Sequence, residues 1–142
     1  MRGSLLFIGA LGLAAAELGN IRAHPEPLKR SQMALAHGDA TAGRAAKACQ
    51  ANEYEACVKS LREVQAAAEL AKESLDQTGI DAARNPRHHK NTEVRVRRIL
   101  KTVGGTRPYI HPEDQAVYDE VMKRLSDIND ELLQAVMSRR KR

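Results

Sequence analysis

Apolar residues recur in steps of three and four along most of this chain, and that period admits helices and little else. From Tyr54 they fall at Cys57, Leu61, Val64, Ala68, Ala71 and Leu75, which puts all seven on one stripe of a helical surface. A strand alternates every second residue and cannot produce the pattern. Asn52 followed by Glu55 makes a capping pair for the start of this helix, and Thr78-Gly79 suits its end. The C-terminal segment repeats the logic with Tyr118, Val121, Leu125, Ile128, Leu132 and Ala135. It is opened by Pro112 and the acids Glu113 and Asp114, which favour a helix N-terminus.

Between them a helix is predicted from Arg87 to Val103, apolar at Val96, Ile99, Leu100 and Val103, opened by Asn85-Pro86 and stopped by Gly104-Gly105. Upstream, a less regular helix runs from Leu28 to Gln50. Leu28, Leu35, Ala42, Ala45 and Cys49 share one side of it, with a break expected at Gly38-Asp39. Each apolar stripe must be buried against others. The expected fold is therefore all-α, an antiparallel bundle of about four helices: a helical hairpin over 28–77, a basic helix over 87–103 and a C-terminal helix over 112–138. Seams of this spacing suit an intramolecular bundle and a helical dimer equally.

The first residues follow a different rule. Met1-Arg2 supplies a positive start, Leu5 to Ala16 an almost unbroken apolar run, and Ala14-Ala15-Ala16 a small-residue exit, the layout of a secretory signal peptide. A membrane-spanning helix needs ~20 apolar residues, more than this run provides. Cleavage after Ala23 is the favoured reading because Glu17 to Ala23 then forms a polar exit region; cleavage after Ala16, with Ala14 at the third position back, is the alternative. Neither bond is followed by Cys, which argues against a lipid anchor. The competing reading is an uncleaved amphipathic or buried helix. On the favoured reading 1–23 is a signal peptide, 24–138 a single helical domain and 139–142 a basic tail. The product is an exported protein, periplasmic or extracellular, with no transmembrane helix in the mature chain. Removal of the leader takes away Phe7, leaving Tyr54, Tyr109 and Tyr118 as the only aromatics in a chain without Trp. A core of Ala, Val, Leu and Ile brings helices close, but each contact buries little area at ~25 cal/mol per Å².

Export also changes the meaning of the two cysteines. On one continuous helix, Cys49 and Cys57 would lie ~12 Å apart, beyond the ~7 Å Cα limit for a disulfide. Across a turn at Asn52 they can face each other, so a hairpin-stapling disulfide is expected, contributing ~2 kcal/mol at most for so small a loop. The alternative is a pair of small buried apolar residues. The spacing is neither a redox nor a zinc signature, and no haem-attachment motif occurs.

The formal net charge is +5, with bases concentrated from Arg84 through Arg87, His88, His89 and Lys90 to Arg95, Arg97, Arg98 and Lys101, relieved only by Glu93. A second cluster is Arg139, Arg140, Lys141 and Arg142. Arg87, Lys90, Arg95, Arg97, Arg98, Lys101 and the four tail residues are the candidate contacts for a protein partner or a polyanion such as phospholipid headgroups or anionic glycans. Export, and the lack of aromatics interleaved with the bases, disfavour nucleic acid. The competing reading is a solvated face in which Arg95, Arg97, Arg98 and Lys101 pair with acids such as Glu69, Glu73, Asp127 and Glu131.

His24, His37, His88, His89 and His111 offer a thin metal reading. Adjacent His88 and His89 point about 100° apart on a helix and cannot chelate as an i, i+4 pair does. Cleavage after Ala23 would make His24 the mature N-terminus, whose amine and ring could bind copper with a second His; cleavage after Ala16 removes that option. The chain has no phosphate loop, no glycine-rich nucleotide fingerprint, no H-E-x-x-H and no nucleophile elbow. Neither an enzyme nor a cofactor is expected.

Two resemblances add to this reading. Ala51-Asn52-Glu53-Tyr54-Glu55-Ala56-Cys57, with small residues at Ala45 and Cys57, resembles the central turn of one tetratricopeptide hairpin; no second copy follows at the ~34-residue period. Leu75 to Gly79, Asn85 to Leu100 and Ile128 to Met137 look like an uncharacterised family of small exported bacterial helical proteins. This chain departs from that pattern at Asn129, where the family carries His, and at His89, where it carries an aromatic. The resemblance implies export and a helical fold and transfers no activity. Two functions follow: a non-catalytic envelope protein presenting a basic surface, or a metal- or small-ligand-binding bundle using His24 or the His88-His89 region.

Overall fold

A computed structural model describes residues 17–138. The fold is an all-α bundle: residues 17–22 (α1), Pro27–Gln50 (α2), Tyr54–Gln77 (α3), Arg87–Gly104 (α4) and Gln115–Met137 (α5), with single 3-10 turns at Arg107–Tyr109 and Pro112–Asp114. Met1 to Ala16, Phe7 among them, and the tail Arg139 to Arg142 lie outside the described residues. No described helix is long and apolar enough to cross a membrane.

The hairpin of α2 and α3 is the centre of the molecule, and its contact surface is built of small side chains. Ala34, Ala42, Ala45 and Ala48 of α2 and Ala67, Ala68 and Ala71 of α3 are buried, and Ser31 Oγ donates to the Ala71 carbonyl at 2.8 Å. Such side chains let two backbones approach closely, so dispersion contacts accumulate although each residue buries little area.

α2 runs unbroken, contrary to the break expected at Gly38-Asp39. Gly38 is a point of close approach instead. A Cβ there would meet Ile99 Cδ1 at 3.2 Å and Ala67 Cβ at 3.4 Å, so α3 and α4 both press on α2 where it lacks a side chain.

The turn also differs from its sequence reading. Asn52 does not cap α3: the N-cap residue is Glu53, with no side-chain cap bond. Asn52 ends α2, adopting φ 60°, the left-handed conformation that Asn tolerates. Its N–H donates to Cys49 O (3.1 Å) and that of Glu53 to Ala48 O (3.0 Å), the paired bonds of a Schellman motif. The reversal brings Cys49 and Cys57 to a Cα separation of 4.8 Å, joined by a disulfide at the hairpin tip. Tyr54, placed on the apolar stripe by its spacing, is 43% exposed because α3 begins there beyond the end of α2; its ring lies against His111, centroids 4.6 Å apart.

α3 ends at Thr78, and Gly79 takes φ +70°. α4 then packs across α2 and against α5, burying Val96, Ile99 and Val103 with Leu100 half-buried. α5 buries Tyr118, Val121, Leu125, Ile128 and Leu132 and leaves Ala135 half-buried. Tyr118 donates from its hydroxyl to the Gly104 carbonyl at 3.3 Å, and burial pushes its pKa up, so it remains a donor. Arg124 of α5 binds Glu69 of α3 at 3.1 Å, a tie between the hairpin and the last helix.

Two glycines of α2 separate helix propensity from packing. Gly43 has open space around its missing Cβ, so Gly43→Ala should raise stability by ~1 kcal/mol. Gly38→Leu should lower it by ~1–3 kcal/mol through overpacking. Urea midpoints of the two variants check both signs.

Candidate functional site

α4 concentrates the charge of the molecule. It holds six Lys and Arg against one acid, Glu93, a formal +5. Arg2 and the four tail residues lie outside the described residues, which leaves the described body with 18 bases and 18 acids. The body is neutral as a whole, divided into +5 on α4 and −5 on everything else.

Helical geometry sorts the candidate bases into two groups. Arg87, Lys90, Val94, Arg98 and Lys101 follow steps of three, four, four and three, one continuous outward stripe ~21 Å long. All five are exposed, and Val94, 42% exposed, sits in the middle. Arg87, Lys90, Arg98 and Lys101 form no ion pair among the described residues. Arg95 and Arg97 are engaged: Arg95 reaches Asp39 of α2 at 3.2 Å, and Arg97, on the edge of the stripe, reaches Glu93 at 3.3 Å. Three of the four acids expected to neutralise this helix are occupied elsewhere, and Glu73 forms no ion pair among the described residues. Glu69 pairs with Arg124, Glu131 with Lys72 (3.5 Å) and Asp127 with Lys123 (3.0 Å). Arg139, Arg140, Lys141 and Arg142 fall outside the described residues.

A groove of about 420 Å³ runs beside the stripe between α2 and α4, with Leu28, Leu35 and Val94 as its apolar wall and His88, Asn91 and Arg95 as polar edges. His88 and His89 part company here. His88 faces the groove, whereas His89 is 5% exposed and its Nδ1 has no hydrogen-bond partner. Burial pushes the His89 pKa below its ordinary value; Asp76 and Asp81 pull it back up, while Lys72 and His88 add to the depression. An aromatic ring at this position would leave no buried ring nitrogen without a partner.

Three polar constellations were not legible in the sequence. Glu93, inside a basic run, is a buried carboxylate, and Asn129 of α5, its amide nitrogen turned to α4, donates to Glu93 Oε1 at 3.1 Å and to the Glu93 carbonyl at 3.3 Å. His37 is buried between Glu63 Oε1 (3.2 Å) and Glu17 Oε2 (3.6 Å). His24 has its Nδ1 occupied by the Glu26 N–H (3.2 Å), and its carbonyl accepts from Arg30 at 2.7 Å. Among the described residues no three His, Cys, Asp or Glu side chains are grouped to hold a metal ion.

Compared with family models, curated proteins and solved structures, the chain matches none.

His89 makes the fold sensitive to mild acid. Its folded pKa lies below the ordinary 6.5, so between those values the unfolded chain binds more protons and stability falls as pH drops. His89→Phe should flatten that limb of the curve. Urea midpoints measured from pH 7.5 downward check it, the variant gaining on the parent most below pH ~6.5.

Proposed function

We propose that this chain is an exported, non-catalytic binding protein whose α4 stripe docks on an anionic component of the cell envelope, phospholipid headgroups being the best geometric fit. The observation that carries the reading is the row of four cations, Arg87, Lys90, Arg98 and Lys101, on one helical face, unpaired among the described residues. A flat or extended polyanion can meet all four at once. Val94 in the centre of the row adds an apolar contact that suits the headgroup boundary. Residues 139–142 add four further positive charges in the sequence. Export rests on Met1-Arg2 and the Leu5–Ala16 run, and the absence of catalytic motifs in the sequence supports a binding role.

The α2–α4 groove supports a second reading, a small amphipathic ligand with its apolar part against Leu28, Leu35 and Val94 and its polar part toward His88 and Arg95.

Vesicle co-sedimentation tests the leading reading. Binding to anionic phosphatidylglycerol vesicles should fall steeply between 50 and 300 mM salt, and neutral phosphatidylcholine vesicles should not bind. Each base near such a surface contributes ~1 kcal/mol, so changing Arg87, Lys90, Arg98 and Lys101 to Gln should weaken binding by at least ~100-fold. Changing Lys29, Lys47, Arg62 and Lys123 removes the same charge elsewhere and should cost much less. Equal losses in the two variants reduce the effect to net charge and defeat the stripe as a site.

A further inference from the structure

We infer that the chain is processed at the Ala16–Glu17 bond, so that the mature protein begins at Glu17 and keeps α1 as part of its fold. The inference rests on the export reading but is decided by what lies on the C-terminal side of the bond. Leu18 and Ile21 of α1 are 6% and 4% exposed and belong to the same core as Leu35 and Ala42. Glu17 and Ile21 of α1 line a groove with Met33, Ala36 and Ala40 of α2. Glu17 itself faces the buried His37 at 3.6 Å. A chain cut after Ala23 loses all three contacts, uncovers α2 and leaves His37 with Glu63 alone.

The bond after Ala23 is also tied into the folded body. Ala23 N–H donates to Gly19 O and His24 N–H to Ile21 O, while the His24 carbonyl accepts from Arg30, which is itself bonded to Ser74 and Gln77 of α3. Residues 17–24 thus behave as the first element of the domain, not as an exit region. Upstream, Ala14 and Ala16 present small side chains at the third and first positions before the bond, whereas Ala23 has Ile21 at the third. The reaction is peptide hydrolysis by a signal-type endopeptidase: water adds across the Ala16–Glu17 bond, leaving the carboxylate on Ala16 and the new amine on Glu17. That product has no free amine at His24, so a copper site at a His24 N-terminus does not form.

The test expresses the full chain in an exporting bacterial host, fractionates the cells and determines the N-terminus of the recovered protein by sequencing and intact mass. Recovery outside the cytoplasm beginning at Glu17 is the expected result. Recovery outside the cytoplasm beginning at His24 overturns the inference and leaves export standing; an uncleaved chain in the cytoplasm overturns both. Replacing Ala14 and Ala16 together by Leu should block processing, and Ala23→Leu should leave it intact; the reverse pattern defeats the proposal. Independently of export, a chain made to start at His24 should melt at least ~5 °C below one made to start at Glu17. Equal melting temperatures show that α1 is dispensable and overturn the inference.

Discussion

The alanine-lined contact between α2 and α3 is the constraint on which the remaining structure depends. Two helices whose facing side chains are Ala, Ser and Gly must lie close to gain enough dispersion energy, and closeness fixes their register. The Ser31–Ala71 hydrogen bond and the Schellman turn at Asn52 are products of that register, and so is the 4.8 Å Cα separation that lets Cys49 and Cys57 join. Gly38 extends the same device to a third helix by admitting Ile99 of α4 where a side chain would stand. Tyr118 is the one buried aromatic among the described residues, and many close small contacts supply the rest.

Seating α4 by its apolar edge determines what its charges can do. With Val96, Ile99 and Val103 turned inward, Arg95 falls beside Asp39 and Arg97 beside Glu93. The remaining four bases point outward and form no ion pair among the described residues. Glu69 of α3 and Asp127 and Glu131 of α5 are held by Arg124, Lys123 and Lys72. Among the described residues net charge is thereby separated, +5 on α4 and −5 over the rest. Isolated surface charges contribute little to stability, whereas a row of them along one face gives a docking surface its direction.

Helix positions were largely legible because burial on one side of a helix leaves a three-to-four period that needs no tertiary knowledge. Leu61, Val64, Leu75, Leu125, Ile128 and Leu132 are buried as their spacing requires. The misreadings are local. Gly38 carries the composition of a break but sits at a crossing, and the two are told apart only by what stands opposite. Asn52 carries the composition of an N-cap but closes the preceding helix, a choice made by which end of the turn has unpaired carbonyls. Tyr54 continues the period past the edge of the partner helix, where α2 no longer covers it and its ring lies against His111. At the candidate site, the row of bases was visible in the sequence, but the division into paired and unpaired bases was not.

The sequence by itself determined the helical class, the inward stripes, the basic character of the third major helix and the candidate cysteine pair, because each follows from spacing or composition along one segment. The tertiary structure alone decided that Glu93 is a buried partner of Asn129, that His37 stands between Glu17 and Glu63, and that Leu18 and Ile21 belong to the core. Each of these joins residues distant along the chain, and a burial or an ion pair across helices has no period for a sequence to display.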